Sequence, residues 1–449
     1  MSGLLSTLAA YGARDATRPP PAEAAHHAKR AVIDWFAALY PGTRVAPATN
    51  LVAAHARELG VGRSSLPGFA TTAFPALAAW INGSASHAVE FDDIFKDAVY
   101  HPGCPTIAAA LAVAEDRGLS GAQLLQAVVV GYEISTRIGV AVQPSHYRFF
   151  HTTGTVGTFG GATAAASLFA PGDEAALRHA LATAATFASG LQQAFRSDSM
   201  TKPLHAGHAA SAGVLAAQAA AAGVTGAPDV LEGSAGFGAA MSDGAHWARA
   251  TEGLGERYNI TRMTQKNHGC CGHAFAAIDA VLALKARGLD PDSVSVLEVA
   301  TYQAALDVAG NPAPRTAAEA KFSIPFVVAH ALLHGSVRLG AFAPERLADP
   351  AIRALAQRVK LVADPALTAA FPAQRAARVT ATLADGRREE HFAPCRKGDP
   401  EAPLTDAEID AKFAELAAPV LGEARARDLL AKLWRLESLA VSDLRLAAP

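Results

Sequence analysis

The sequence predicts a mainly α-helical protein with a smaller α/β part, and three observations predict it. Apolar residues recur at helical spacing through the first half of the chain, which is rich in alanine. Residues 293–303 alternate between apolar and polar side chains, as a half-buried strand does. Residues 378–392 contain two strand-like runs around an Asp385-Gly386 turn, which predicts a hairpin.

The predicted helices occupy most of the first half and the end of the chain. Residues 22–40 follow three prolines, and Pro41-Gly42 is expected to stop that helix. Further helices are predicted at residues 75–89, 105–116, 121–140, 156–169, 174–189 and 205–222. After a break at residues 397–400, helical periodicity returns over residues 406–439.

The length of the chain predicts two domains. With 449 residues, of which 51% are hydrophobic, it is too long for one compact core. The pattern changes after Gly253, so we expect a large all-helical domain at residues 1–255 and a smaller α/β domain at residues 256–399. Residues 400–449 are expected to return to the helical domain and complete it.

The charge balance excludes some partners. A formal net charge of −2 and a pI near 6.8 provide no basic field for nucleic acid or an anionic membrane. Any anion must therefore be bound by a local pocket. No stretch reaches about 20 strongly apolar residues, and the N-terminus lacks a basic region, so neither a membrane span nor a signal peptide is expected.

The cysteines favour a reducing, cytoplasmic location. The chain contains Cys104, Cys270, Cys271 and Cys395, without a C-x-x-C pair. Adjacent cysteines are poorly placed to bridge each other. A disulfide framework is therefore not expected.

The densest polar cluster of the helical half lies at residues 87–103. It contains four acidic residues between His87 and His101, and Pro102-Gly103 follows. The four are Glu90, Asp92, Asp93 and Asp97. A capped helix end with solvated acids is one interpretation. A metal site made of His87, Glu90, Asp93 and His101 is another interpretation. It is disfavoured because residues 87–103 contain no second ligand pair of the His-x-x-His or Glu-x-x-His type.

A glycine-rich segment follows at residues 145–161. A dinucleotide loop is disfavoured there because no strand precedes it and no acidic residue follows at the required spacing, whereas close helix packing explains the glycines. His151 stands with Tyr147 and Arg148 just before a helix start, whose free N–H groups can bind an anion. A structural role for His151 is the alternative.

Two lysines stand beside helix starts. Lys202 precedes a helix that carries His205 and His208, and its charge next to a helix N-terminus favours anion binding over a position in water. Lys266 is followed by a turn with Cys270 and Cys271. Cys271 is a nucleophile only if its pKa is lowered, and a buried, inert thiol is the alternative.

Together these segments, in this order, resemble the MmgE/PrpD family, which includes 2-methylcitrate dehydratase, cis-aconitate decarboxylase and iminodisuccinate epimerase. The resemblance rests on INGSASHAVEFDD, the HPG step, HTTGTVGTFGGA, TKPLHAGHAA, the lysine-cysteine turn before residues 276–279, KFSIPF and KGDPEAPLTDAEIDAKF. It implies a helical domain built from both chain ends, an α/β lid domain, a homodimer and an active site in the cleft between the domains.

The resemblance also implies which residues form the site. The implied catalytic residues are His101, His151, Asp93, Lys202, Lys266 and Tyr147. The implied substrate-binding residues are Glu90, Arg148, Cys271, His273 and Phe326. No metal and no cofactor is implied. The decarboxylase branch has aspartate, threonine, histidine and tyrosine where this chain has Glu90, Ile94, Cys271 and Phe326.

These residue types suit proton transfer next to a carboxylate of a small di- or tricarboxylic acid. Lysines stabilise the negative charge that develops, histidines carry the proton, and Asp93 is expected to orient a histidine. The leading prediction is a dehydration like that of 2-methylcitrate. The alternatives are epimerisation of an iminodisuccinate-like dicarboxylate, then decarboxylation of cis-aconitate, and, from other classes, a metal-dependent hydrolase or a non-catalytic binder of polycarboxylates.

Overall fold

The computed structural model of the protein describes residues 3–195 and 199–448. The chain divides into two compact units. The first contains the residues up to Thr264 and those from Thr405 onward, and the second spans Gln265–Leu404. The first unit is built mainly from helices and the second from helices and a sheet, so the predicted fold class is confirmed.

The elements follow one another in a simple order. The first unit begins with α1 Leu4–Asp15, α2 Ala22–Gly42, α3 Ala48–Ala54, β1 Ser64–Leu66, β2 Thr71–Ala73, α4 Pro75–His87, α5 Gly103–Arg117, α6 Gly121–Val142, α7 Thr152–Phe169, α8 Glu174–Phe187, α9 Thr201–Ala221, α10 Phe237–Met241 and α11 Ala248–Thr251. The second unit contains α12 Phe275–Ala286, β3 Val294–Thr301, α13 Gln303–Ala309, α14 Ala317–Ala320, α15 Ile324–His334, α16 Pro344–Ala348, α17 Pro350–Ala356, β4 Val359–Ala363, α18 Pro365–Ala370, β5 Ala377–Leu383 and β6 Arg388–Ala393. The first unit ends with α19 Asp406–Leu421 and α20 Glu423–Trp434.

Three local expectations for the first unit were wrong. Helix α2 continues through Pro41 to Gly42, because a proline in the last turn removes one donor while the N–H of Thr43 still bonds to the Leu39 carbonyl. Strands β1 and β2 form a short antiparallel hairpin inside a half that was expected to be all-helical. Helix α9 begins at Thr201, so Lys202 lies in its first turn rather than before it.

Helix α6 is the central apolar helix of the first unit. Among the described residues it is the helix long and apolar enough to cross a membrane by length and composition, contrary to the expectation from the sequence. Most of its apolar window, 89%, is buried inside the protein. It also carries the buried ion pair of Glu133 and Arg137, with 2.6 Å between Oε1 and Nε. Both facts are typical of a core helix.

The glycines of α7 serve close packing, as the sequence predicts. A Cβ placed on Gly157 would lie 2.7 Å from Cγ of Pro105, and one on Gly160 would lie 2.5 Å from Oγ1 of Thr106. Both of those residues belong to α5. Larger side chains would push the two helices apart, so the glycine run is required by helix packing.

The second unit is organised around a four-stranded sheet with strand order β4-β3-β5-β6. Strand β3 pairs in parallel with β4 and antiparallel with β5, and β5 forms a hairpin with β6. Gly386 of the connecting turn has a φ of +86°, which favours glycine. The strand and hairpin predictions for this part are confirmed.

A buried ion pair fastens the last part of the chain to the first. The Lys412 ammonium of α19 donates to Oδ1 of Asp34 in α2 at 2.5 Å and to the carbonyl oxygen of Phe91 at 2.8 Å. The exposed fractions of the two side chains are 0% and 1%. Because Phe91 lies in the loop after α4, this pair fixes that loop to two helices.

We expect Lys412→Ala to destabilise the protein by about 3–5 kcal/mol, because it leaves the Asp34 carboxylate buried without this partner. Urea unfolding followed by circular dichroism measures the change. Arg427→Ala is the matched control, since Arg427 forms an exposed i,i+4 pair with Glu423, and its effect should be below about 1 kcal/mol. An equal decrease in the free energy of unfolding of the two variants would show that the buried pair stabilises the protein no more than the exposed pair does.

Candidate active site

The loop after α4 positions the acidic residues of the site. Glu90 has a φ of +64°, a left-handed conformation that is uncommon outside glycine and that turns the chain sharply after the helix. Ile94 then exchanges two backbone hydrogen bonds of 2.8 Å with Thr264. Together with the Lys412 contact to Phe91, these bonds hold the loop at both ends.

Asp92 is the centre of a buried polar cluster. Its Oδ2 accepts a hydrogen bond from Nδ1 of His87 at 2.7 Å and one from Sγ of Cys104 at 3.2 Å. Nδ1 of His101 lies 2.8 Å from the same oxygen. The exposed fraction is 0% for the His87 side chain and 15% for that of His101. Asp92 thus faces two histidines, of which His101 is the one that reaches the surface of the cluster.

Asp93 has a different environment from the one that the sequence predicts. Its Oδ2 accepts from the Tyr132 hydroxyl at 2.8 Å and its Oδ1 accepts from the N–H of Gly103 at 3.0 Å. Burial, assisted by the charge of Asp34, raises the pKa of Asp93 to about 7. The expectation that Asp93 orients a histidine was wrong. Its neighbour Asp92 is the carboxylate that lies beside His87 and His101.

His151 caps α7 from a buried position. Its Nδ1 lies 3.1 Å from Nδ1 of His205, and its ring stacks on that of His87 with 5.5 Å between centroids. Burial lowers the pKa of His151 well below the usual value, and the charges of His87 and Lys202 lower it further. His205 behaves in the same way, with a pKa lowered by burial to about 4. Both imidazoles are therefore neutral at pH 7.

Lys202 meets Glu90 at the edge of this cluster. The Lys202 ammonium donates to Oε1 of Glu90, and about one fifth of each side chain is exposed, 22% and 19%. A pair that water reaches exchanges partners at lower cost than a buried pair. The lysine of the TKPLHAGHAA segment is therefore paired with a carboxylate of the protein at a place that water reaches.

The segment before His151 does not bring Tyr147 and Arg148 to the histidines. Among the described residues, the Tyr147 side chain makes no hydrogen bond or ring contact, and Arg148 is exposed with its guanidinium 4.8 Å from the centroid of the Phe149 ring. The buried histidine of this turn is His146, which lies 2.7 Å from Oγ1 of Thr155. The structure therefore shows no Tyr147–His151 pair.

The predicted metal ligands do not converge. Glu90 pairs with Lys202, and Asp93 accepts from Tyr132. A different trio does converge, since one ligand atom each of His87, Asp92 and Cys104 lie within 4.8 Å of one another. The donors of His87 and Cys104 share one Asp92 oxygen, and burial raises the pKa of Cys104 well above its usual value. Because both groups already donate to this carboxylate, the trio forms a hydrogen-bonded cluster.

The remaining candidates lie in the second unit. Lys266 is buried there. Cys271 is partly buried rather than fully buried, whereas its neighbour Cys270 is the buried thiol, with a pKa raised by burial. His273 lies with Nδ1 2.8 Å from the Tyr302 hydroxyl. Phe326 is 3% exposed and belongs to the hydrophobic core of this unit.

The sequence comparisons identify the family to which this arrangement belongs. Residues 6–250 match the MmgE/PrpD N-terminal domain, and residues 268–436 match the MmgE/PrpD C-terminal domain. The chain belongs to the MmgE/PrpD family. The predicted family membership is thereby confirmed.

Several similar MmgE/PrpD proteins carry the names of lyases. The chain is 27% identical to the cis-aconitate decarboxylase-like protein oryM of Aspergillus oryzae, over 94% of this chain and 92% of that protein. It is 29% identical to cis-aconitate decarboxylase of Homo sapiens, over 81% of this chain and 77% of that protein. It is 33% identical to 2-methylcitrate dehydratase of Cupriavidus necator, over 25% of each chain. The prediction of a lyase of the MmgE/PrpD family is confirmed.

Sequence reasoning missed three contributors to the geometry of this MmgE/PrpD site. Asp92 was passed over for its neighbour, although Asp92 is the carboxylate that contacts His87 and His101. His205 was noted only for its helical spacing from His208, yet it contacts His151. Cys104 follows Pro102-Gly103 at the start of α5, and that helix start was the signal that could have placed it near the loop.

The pKa of Asp93 predicts a pH dependence of stability. Since folding raises this pKa from 3.8 to about 7, its contribution is fully present below the unfolded value and is lost as the pH rises through about 7. Asn does not titrate, so the stability of the wild type relative to Asp93→Asn should fall by about 3 kcal/mol between about pH 5 and pH 8. Urea unfolding at both pH values tests this, with the exposed Asp243→Asn as control. A difference that stays constant with pH would contradict the raised pKa.

Proposed function

We propose that this enzyme removes a proton from the carbon next to a carboxylate of a small di- or tricarboxylic acid, without a cofactor. The leading reaction is dehydration of a hydroxy tricarboxylate that resembles 2-methylcitrate. The base takes the proton, the electron pair of the broken C–H bond forms a C=C bond, and the hydroxyl group leaves as water after an acid protonates it. The names of the relatives support a lyase that acts on such acids.

The observation that carries the proposal is the Asp92–His101 contact. A carboxylate oxygen 2.8 Å from Nδ1 stabilises the imidazolium that forms when Nε2 accepts a proton. His101 is also the more exposed of the two histidines around Asp92. We therefore assign His101 as the general base and Asp92 as the residue that positions it.

His151 is proposed as the second proton carrier. It is 2% exposed and neutral, so its imidazole can donate or accept one proton without a prior change of charge. Its contact with His205 fixes the orientation of the ring. A neutral imidazole also avoids repulsion with Lys202, whose charge is needed for the substrate.

Lys202 is proposed to bind a substrate carboxylate and to stabilise the enediolate as it forms. Its place in the first turn of α9 adds the free N–H groups of a helix start to the positive charge. Lys266 of the second unit is proposed as a further cation for the substrate, on the strength of the family resemblance, and Lys266→Ala should raise KM.

Decarboxylation of cis-aconitate is the second candidate, because relatives with that name match over most of the chain. The departures from that branch argue against it. Glu90 pairs with Lys202 and Phe326 is packed in a core, where the branch has aspartate and tyrosine. Epimerisation is the third candidate. It needs a second acid on the opposite face of the reacting carbon, and among the described residues Tyr147 makes no contact with His151 that would place it there.

The test is ¹H NMR in D₂O with 2-methylcitrate, citrate, cis-aconitate and iminodisuccinate. We expect a dehydrated product or deuterium uptake next to a carboxylate with at least one of them. His101→Ala and Asp92→Asn should lower kcat by about 10²–10⁴, and the exposed His246→Ala should leave it unchanged. Loss of CO₂ from cis-aconitate alone would favour the second candidate. No change in any substrate, or full activity of His101→Ala, would overturn the proposal.

Light scattering on the same preparation tests the homodimer that the family resemblance implies. A particle of twice the 46.2 kDa chain mass is expected, and a monomer would contradict the dimer.

Glu90 is expected to compete with the substrate for Lys202. Glu90→Gln removes the competing charge, so KM for the polycarboxylate should fall about 10-fold, which corresponds to about 1.4 kcal/mol. Steady-state kinetics at constant ionic strength measures it. Glu58→Gln is the control, because Glu58 forms an exposed pair with His55. A higher KM would instead show that Glu90 binds the substrate or holds Lys202 in place.

A further inference from the structure

A second cluster of polar side chains lies in the second unit around the ring of Phe371. Tyr302 stacks on this ring with 4.5 Å between centroids and 13° between planes. The guanidinium carbon of Arg375 lies 5.6 Å from the same centroid, and the His273 ring lies 6.0 Å from it. Three side chains that are distant in sequence thus share one aromatic platform, which fixes their orientations.

Arg375 differs from the other cation of this cluster in its partners. Arg396 is buried and makes a bidentate contact with Asp399, with Nε–Oδ2 at 2.8 Å and Nη2–Oδ1 at 2.6 Å. Nε of Arg375 is buried and has no hydrogen-bond partner, and among the described residues no carboxylate pairs with its guanidinium. The cluster therefore contains two guanidinium groups and one carboxylate, which leaves one positive charge without a counter-charge.

The titration behaviour agrees with this excess of positive charge. Burial, together with the charge of Arg396, lowers the pKa of Arg375. Burial and the charges of Arg375 and Arg396 lower the pKa of His273 to about 4. His273 is therefore neutral at pH 7, and the stabilising addition to this cluster is an anion rather than a third cation.

The His273–Tyr302 pair has one donor to spare. If the Tyr302 hydroxyl donates to Nδ1, the neutral imidazole carries its proton on Nε2 and donates outward. If Nδ1 donates to the hydroxyl oxygen, the hydroxyl proton is the one that remains. In both tautomers the pair therefore has a spare N–H or O–H donor in the same cluster as a guanidinium that no carboxylate pairs with. A hydrogen-bond donor and a guanidinium are the two groups that bind a carboxylate.

We propose that Arg375, with His273 and Tyr302, forms a carboxylate-binding site of the second unit. The planar guanidinium binds the carboxylate oxygens, and the spare donor of the histidine–tyrosine pair binds one of them. One monovalent carboxylate balances the net charge of the cluster. The carboxylate belongs either to the polycarboxylate substrate or to a separate ligand, and the site itself does not depend on the reaction proposed above.

The experiment titrates citrate into the full-length protein with ¹³C-labelled histidine and follows the His273 resonance, assigned by its loss in His273→Gln. Citrate should shift this resonance in a saturable manner and raise its apparent pKa. In Arg375→Gln the shift should be lost or the Kd should rise at least ten-fold, and Arg375→Lys should retain part of the affinity. Arg378→Gln is the matched control, since Arg378 also lies over an aromatic ring, Phe392 at 5.3 Å, but is paired with Glu390.

Turnover separates the two sources of the carboxylate. A higher KM with unchanged kcat in Arg375→Gln assigns the site to the substrate, whereas unchanged kinetics with a lost His273 shift assigns it to a separate ligand. An equal citrate response in wild type and Arg375→Gln, with both proteins folded by thermal melting, overturns the proposal. Because the His273 shift is measured without turnover, an inactive enzyme does not affect this result.

Discussion

The buried ammonium group of Lys412 is the constraint on which the first unit depends. It lies in the last long stretch of chain, yet it bonds to Asp34 near the beginning and to the carbonyl of Phe91. A charge with 0% exposure costs free energy unless it is paired and hydrogen-bonded, so these partners are required together. The loop that carries Glu90 and Asp92 is thereby fixed by helices from both ends of the chain. An acidic loop after a helix would otherwise turn its carboxylates into water.

The fixed loop gives two adjacent carboxyl groups different properties. Asp92 has two histidines and a thiol around one oxygen, which places an imidazole beside it. Asp93 faces a tyrosine and a backbone N–H, and burial favours its protonated form around neutral pH. The two neighbouring carboxyl groups thus differ in their partners, and the proposed role of Asp92 in positioning His101 rests on that difference.

Much of the fold was predictable because helical and strand periodicities are local properties. The hairpin around Asp385-Gly386 and the glycine packing of α7 follow from residue patterns alone. The β1–β2 hairpin was not predictable, since strands of three residues are too short to show an alternation of apolar and polar side chains. In the site, the contact of Asp92 with His87 and His101 was not predicted, because a run of acidic residues in a loop does not show which carboxylate meets a histidine. The positive φ of Glu90 was not predicted either, since no propensity favours it for glutamate. The contact of His151 with His205 depends on helix packing, which a sequence pattern does not contain.

Three of the buried or partly buried cations, Lys412, Lys202 and Arg375, show how the degree of neutralisation relates to the role assigned or proposed for each. Lys412 has a carboxylate and a carbonyl in a dry interior, so no ligand displaces them and its role is structural. Lys202 has a carboxylate that water reaches, which makes exchange with a substrate carboxylate inexpensive. Arg375 lies on an aromatic ring with its Nε lacking a hydrogen-bond partner, and we propose that a ligand carboxylate supplies its counter-charge. An unpaired guanidinium beside another guanidinium lowers the stability of the unit that contains it. A fold keeps such a group at that cost when binding an anion recovers the lost free energy, which is the physical reason to look for a carboxylate there.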